Sequence, residues 1–183
     1  AEIMRAGNAP HEEEASIYPG TCRRLSKEEQ IEKISTETSF AWRLNIRAAA
    51  KKLGNLVWSD LRLGKHTVPV GTMGDVVLAR KDVPTSYHLS ATLDDHIQKI
   101  GLVTRGEDLV SATHVHKIIQ SLLELKSPIY LHHPLILDFK GVRLSKRTRA
   151  QTIKSLKNSG LKRDDVIDLF GKDNILSLLS LIK

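Results

Sequence analysis

Three groups of residues in this sequence are of types that could carry chemistry. The first is the run Gly141-Val142-Arg143-Leu144-Ser145-Lys146-Arg147. A lysine next to a turn is a compact point charge with three donors. It can swing onto a phosphate chain and stabilise charge that develops on a phosphorus under attack. Ser145 is small enough to sit beside a phosphate, and Arg143 and Arg147 add positive field. A solvated basic loop has the same composition. The second group is Tyr87, in Ser-Tyr-His-Leu, with Arg105, in Thr-Arg-Gly-Glu-Asp-Leu. Tyr87 offers a hydroxyl on a rigid ring, and Arg105 a planar fork that matches a carboxylate. The structural alternatives are a core tyrosine and a salt bridge from Arg105 to Glu107 or Asp108. The third is Tyr18-Pro-Gly-Thr-Cys22, where a Pro-Gly turn would aim a phenol and a thiol at one point. Zinc wants four ligands and Cys22 is the only cysteine, so the alternative is a lone buried thiol.

Other polar clusters read as structural. His114 and His116 are two apart in a helical stretch and point to different faces. His132 and His133 would face opposite sides of a strand. Asp94 and Asp95 read as a helix cap. There is no phosphate-cradling Gly-rich loop, metalloprotease helix or nucleophile elbow.

The elements that must position these groups are mixed. Residues 1–25 are irregular, punctuated by Gly7, Pro10, Pro19 and Gly20. Ser26 followed by Glu29 predicts a capping box opening a helix. Residues 40–46 alternate apolar and polar and predict a strand, with further β-like segments in 55–80. Ala112, Val115, Ile119 and Leu122 recur at helical spacing, and Ile118 and Leu123 widen the stripe. Residues 128–139 read as a strand closed by the turn at Lys140-Gly141. From 147 onward the pattern is helical, with a stop at Gly160. This order predicts part of an α/β sheet rather than a sandwich or a bundle.

Composition narrows the classes. Lysine plus arginine number 28 against 21 aspartate plus glutamate, giving a net charge of +7. That excess suits a nucleotide or nucleic-acid partner. Aromatics at 4% argue against a single-strand binder built on stacking platforms. One cysteine excludes a disulfide framework within the chain and makes a reducing cytoplasm the expected home. No apolar run approaches a membrane span, and the first residues lack a signal-peptide core. The first residue is Ala rather than Met, and the expectation is that sequence precedes it.

Taken in order, residues 74–109, then 128–147, resemble the second half of the catalytic domain of glutamyl-tRNA synthetase-like class I enzymes. The resemblance covers roughly residues 15–160. Arg143-Leu-Ser-Lys-Arg147 is similar to the KMSKS-type loop, with Arg143 where Lys is common. Within the family the sequence looks most like the glutamyl-Q-tRNA(Asp) synthetases, which lack an anticodon-binding domain. Little chain follows the loop, and Tyr18-Pro-Gly-Thr-Cys22 looks like the second half of their zinc knuckle.

The resemblance implies an α/β fold, the second half of a Rossmann-type catalytic domain with a short helical C-terminal tail. The implied division is a zinc-lobe remnant at 1–25, the catalytic half at 26–147 and helices at 148–183. It implies activation of glutamate by ATP with Mg, then transfer to queuosine in the anticodon loop of tRNA(Asp), by a cytoplasmic monomer. Tyr87 and Arg105 would contact glutamate. Lys146 would stabilise the α-phosphate as the carboxylate attacks, and Leu135 would lie near the adenine. Tyr18 and Cys22 would be two of four zinc ligands. The HIGH-like motif, the early glutamate-binding segment and the Cys-x-Cys pair are not in the chain. The expectation is therefore that it forms no adenylate at a useful rate alone and holds zinc poorly. An ordinary glutamyl-tRNA synthetase, a synthetase-derived RNA-binding protein and an inactive gene remnant are the alternatives.

Overall fold

The computed structural model describes residues 18–36, 39–137, 152–169 and 171. A 3-10 turn at Thr21–Arg24 leads into helix α1 (Lys27–Thr36). The predicted capping box opens that helix. Glu29 N donates to Ser26 Oγ at 3.1 Å, and Ser26 N donates to Glu29 Oε2 at 2.7 Å. Strand β1 (Ala41–Leu44) follows, then helix α2 (Ile46–Leu53). The predicted strand thus stops short of Ile46. The Asn45 side chain accepts from Ala48 N at 3.1 Å and turns the chain into α2.

Strands β2 (Val57–Asp60) and β3 (Gly64–Thr67) form an antiparallel pair. The β-like reading of 66–70 ends at Thr67, because Pro69 has no amide to donate to a ladder. Strand β4 (Val76–Arg80) returns to pair antiparallel with β1, with a register irregularity between Trp42 and Arg43. Helix α3 (Tyr87–Ile97) is capped by the Ser86 side chain. Strand β5 (Leu102–Gly106) then passes through a 3-10 turn into helix α4 (Val110–Leu122), which leads to strand β6 (Ile129–His133). Two short helices, α5 (Ile153–Asn158) and α6 (Arg163–Leu169), complete the described chain. Gly160 lies just past α5 at φ +91°, the left-handed conformation that a helix stop favours.

β5 and β6 run parallel, joined through α4, and β6 runs parallel to β2 at Asp60–Tyr130. The larger sheet therefore has the order β3-β2-β6-β5, and β1 with β4 forms a separate ribbon. The fold is α/β, as expected. The strand predicted over 128–139 is confined to 129–133 within the described residues. Asp94 and Asp95 occupy the last turn of α3, so they do not cap its N-terminus. Burial raises the Asp95 carboxyl pKa, the neighbouring Asp94 adds to the rise, and the field of Arg105 opposes it.

The core gathers around Ile46 of α2, Trp58 of β2, Ile118 of α4 and Tyr130 of β6. Helix α4 packs against both α2 and α3, and its buried face carries Ala112, Val115, Ile118 and Ile119 as the spacing predicts. Leu123 departs from that stripe: it is the C-terminal cap and is exposed. Ile118→Ala is expected to cost about 2–5 kcal/mol, because it leaves a cavity between helix and sheet. Ile97→Ala, at an exposed site, should stay within about 0.5 kcal/mol of the parent. Urea unfolding of the two variants tests the contrast.

Candidate functional site at the carboxyl ends of the parallel strands

Arg105 is the next-to-last residue of β5, yet it is only 8% exposed. Its guanidinium lies over the Tyr130 ring, 5.3 Å from the centroid. Nη1 donates to Thr113 Oγ1 at 3.4 Å and to His116 Nδ1 at 3.3 Å, both on α4. Of the two acidic residues that could have paired with Arg105, Glu107 pairs instead with Arg62. Arg62 also donates from Nε to the His132 carbonyl at 2.7 Å, which holds that ion pair against β6.

Tyr87 is the first residue of α3 and is 42% exposed, so it is not the core tyrosine of the structural alternative. Its ring lies 5.5 Å from the His116 ring and 5.6 Å from the His88 ring, centroid to centroid. Tyr87 and Arg105, 18 positions apart, thus meet around one histidine. Leu135, just beyond β6, comes to the same end of the sheet. A Cβ on Gly106 would stand 3.1 Å from Leu135 Cδ2 and clash with Asp108 Oδ1, so both side chains would have to shift to admit a larger residue. In open parallel sheets the carboxyl ends of the strands form the ligand crevice. Lys146 lies outside the described residues.

Beneath Arg105 lies a buried polar chain. Asp60, at the end of β2, accepts from Arg62 N and Leu63 N at 2.8 Å each through Oδ1. Its Oδ2 accepts from His132 N at 2.9 Å and from His132 Nδ1 at 2.6 Å. Burial alone would raise the Asp60 pKa, but these donors together hold it below the usual carboxylate range. Burial depresses the His132 pKa despite Asp60, so the ring is neutral with its proton on Nδ1. Nε2 is then an acceptor, 2.9 Å from Thr113 Oγ1. Asp60, His132, Thr113, Arg105 and His116 therefore form one continuous hydrogen-bonded chain. The pairs His114–His116 and His132–His133 split between environments as their spacing predicts. His114 Nδ1 accepts from Trp58 Nε1 at 3.0 Å, His116 and His132 are fully buried, and His133 is exposed.

Tyr18 and Cys22 come together elsewhere. Gly20, at φ +81°, turns the chain so that Cys22 N donates to Tyr18 Oη at 2.8 Å. The Cys22 thiol is exposed, not the buried thiol of the structural alternative. Arg43 of β1 stacks on the Tyr18 ring at 4.7 Å, and Arg23 pairs with Asp75. Burial, then the hydrogen bond with Cys22, raises the Tyr18 pKa. Among the described residues no three His, Cys, Asp or Glu side chains converge as a metal site. Tyr18 and Cys22 would supply two of the four donors of a tetrahedral zinc site. Among the described residues, no helix is long and apolar enough to cross a membrane.

Comparison with known proteins identifies the family. The family described as "tRNA synthetases class I (E and Q), catalytic domain" matches residues 2–173. A glutamyl-Q tRNA(Asp) synthetase of Rhodobacter capsulatus is 39% identical over 179 residues, 93% of this chain and 63% of that relative. A glutamate–tRNA ligase of Hydrogenobaculum is 34% identical over 144 residues, 78% of this chain and 30% of the relative. Among solved structures, a glutamate tRNA ligase from Elizabethkingia meningosepticum in complex with its amino acid superposes with a TM-score of 0.60. It is 27% identical, over 73% of this chain and 27% of that one. The chain belongs to the class I glutamyl and glutaminyl tRNA synthetase catalytic-domain family. It spans less than two thirds of the length of these relatives.

The family resemblance singles out Tyr87 and Arg105 but not the histidine between them. Sequence reading gives His116 a structural role and does not single out Asp60. Nothing local to either residue signals the contact, because their partners lie on other elements.

The histidines make stability depend on pH. Burial, then the field of Arg105, then that of His88, lowers the His116 pKa to about 3. Burial, then His66 and His132, lowers that of His114 to about 4. In the unfolded chain a histidine titrates near pH 6.5, at about the model-peptide value. Below that pH the unfolded state binds more protons, so stability is complete above about pH 6.5 and falls with acidification. The loss approaches about 1.4 kcal/mol per pH unit for His116, continuing down to its folded pKa, and is smaller for the partly exposed His114. Urea unfolding midpoints at pH 7 and pH 5 should show this drop, and His116→Leu should flatten it.

Proposed function

We propose that the chain is part of an enzyme that activates glutamate with ATP and Mg and transfers it to queuosine in the anticodon loop of tRNA(Asp). The observation that carries the reading is the convergence of Tyr87 and Arg105 at the carboxyl ends of β5 and β6. Arg105 is buried, and the acceptors that hold it, Thr113 and His116, are neutral and do not cancel its charge. Tyr87 is exposed beside it and offers a hydroxyl. In this reading the α-carboxylate of glutamate attacks the α-phosphorus of ATP and pyrophosphate leaves. Lys146 meets the charge that develops on the phosphate, and Leu135 lies near the adenine. A hydroxyl of queuosine then takes the glutamyl group and releases AMP.

The proposed division keeps a lobe at 1–25, the catalytic half at 26–147 and helices at 148–183. The relatives named glutamyl-Q tRNA(Asp) synthetase support queuosine as the acceptor, and the chain's single cysteine is consistent with a cytoplasmic setting. The second reading, an ordinary glutamate–tRNA ligase, is favoured by relatives of that name at 34% identity.

Glutamate-dependent ATP–pyrophosphate exchange without tRNA separates these readings. It is to be measured on this chain and on one that also carries the upstream segment with the HIGH-like motif. Exchange is expected only in the longer chain. Arg105→Lys should raise its KM for glutamate about tenfold or more, because an ammonium cannot fork a carboxylate. Exchange that requires tRNA would favour the ordinary ligase, and exchange by this chain alone would refute the division of labour.

A further inference from the structure

We propose that His116 is a positioning residue that fixes the Arg105 guanidinium and the Tyr87 ring relative to one another. This rests on the reading of that pair as the glutamate contacts.

Three elements meet at this ring. Arg105 is on β5, Tyr87 is at the start of α3, and His116 projects from α4 between them. The ring is 0% exposed. Its Nδ1 is 3.3 Å from Arg105 Nη1, and its plane is tilted 52° to the Tyr87 ring at 5.5 Å. His88 approaches from α3 at 5.3 Å, and Thr113, one turn back on α4, holds the same guanidinium nitrogen.

Arginine only donates, so Nδ1 of His116 must accept and the ring proton must sit on Nε2. That tautomer is neutral. A carboxylate in this position would also orient Arg105, but it would neutralise the charge that a substrate needs. A neutral acceptor orients the fork and leaves its charge intact. Burial and the field of Arg105 keep the ring unprotonated at ordinary pH. Nε2 has no hydrogen-bond partner among the described residues. Thr113, itself held by the Asp60–His132 chain, accepts from the same nitrogen, so two contacts from α4 fix that arm of the guanidinium.

The test is glutamate-dependent exchange by the longer chain, with urea unfolding as a check that each variant folds. His116→Leu keeps the volume and removes the acceptor. It should raise KM for glutamate about ten- to a hundredfold, the scale of a small misplacement of a binding group. KM for ATP and kcat should stay near the parent values. His116→Asn returns an acceptor at the position of Nδ1 and should recover most of the loss. An unchanged KM for glutamate in His116→Leu would overturn the proposal, as would an equal rise in KM for ATP. No recovery in His116→Asn would do the same.

If the parent protein shows no glutamate-dependent exchange, the functional reading fails and the contact is tested on its own. Nitrogen-15 spectra of this chain should then show His116 with its proton on Nε2 and an Nδ1 shift that moves in Arg105→Lys. A proton on Nδ1 would overturn the positioning contact whatever the enzyme's substrate.

Discussion

The carboxylate of Asp60 is the point on which the described fold closes. It is buried at the end of β2 and accepts four hydrogen bonds, two from the turn toward β3 and two from His132 on β6. A buried charge without such donors would cost several kcal/mol, so the turn and the neighbouring strand must both be in place for the carboxylate to be tolerated. The same contacts fix the register in which β6 lies against β2, where Asp60 is opposite Tyr130. Backbone pairing between these strands is brief, and the side-chain bonds reinforce it.

From His132 the constraint passes outward to the site. The histidine proton is committed to Asp60, which leaves Nε2 to meet Thr113 on α4. Thr113 in turn touches Arg105, so the guanidinium is referenced to strand, helix and neighbouring strand at once. Glu107, which sequence proximity would give to Arg105, is drawn to Arg62. The hydrogen bonds that hold Arg105 in place go to neutral acceptors, and its charge is also felt by the Asp95 carboxyl. Under the proposed function this arrangement favours a substrate carboxylate, since Glu107 would otherwise have to be displaced first.

The lobe at Tyr18–Arg24 is anchored by separate means. Asp75, just ahead of β4, takes the Arg23 guanidinium and the Ile46 amide, while Arg43 stacks on Tyr18. These contacts tie the lobe to the β1–β4 ribbon and to the start of α2. The ribbon and the larger sheet share the Ile46–Trp58–Tyr130 core, in which residues of β1 and β4 also pack. Packing thus carries the lobe's placement toward the sheet through side chains rather than through strand pairing.

By itself the sequence determined what depends on neighbours along the chain. The capping box at Ser26 and Glu29, the buried stripe of α4 and the helix stop at Gly160 follow from spacings of a few residues. The family resemblance singled out Tyr87, Arg105 and Leu135 because their motifs are short and ordered. Local reading misplaced features where two local signals compete. The alternation of 40–46 ran on into Ile46, although Asn45 begins a helix there, and Asp94 and Asp95 looked like a cap but end α3. Tertiary structure decided which polar groups meet. Asp60 and His132 are 72 positions apart, and Arg105 and His116 lie on different elements. No periodicity encodes such pairs, because burial and hydrogen-bond satisfaction are settled only when the sheet and α4 pack together. Tertiary packing alone made Arg105 a held, charged fork and His116 the joint beside it.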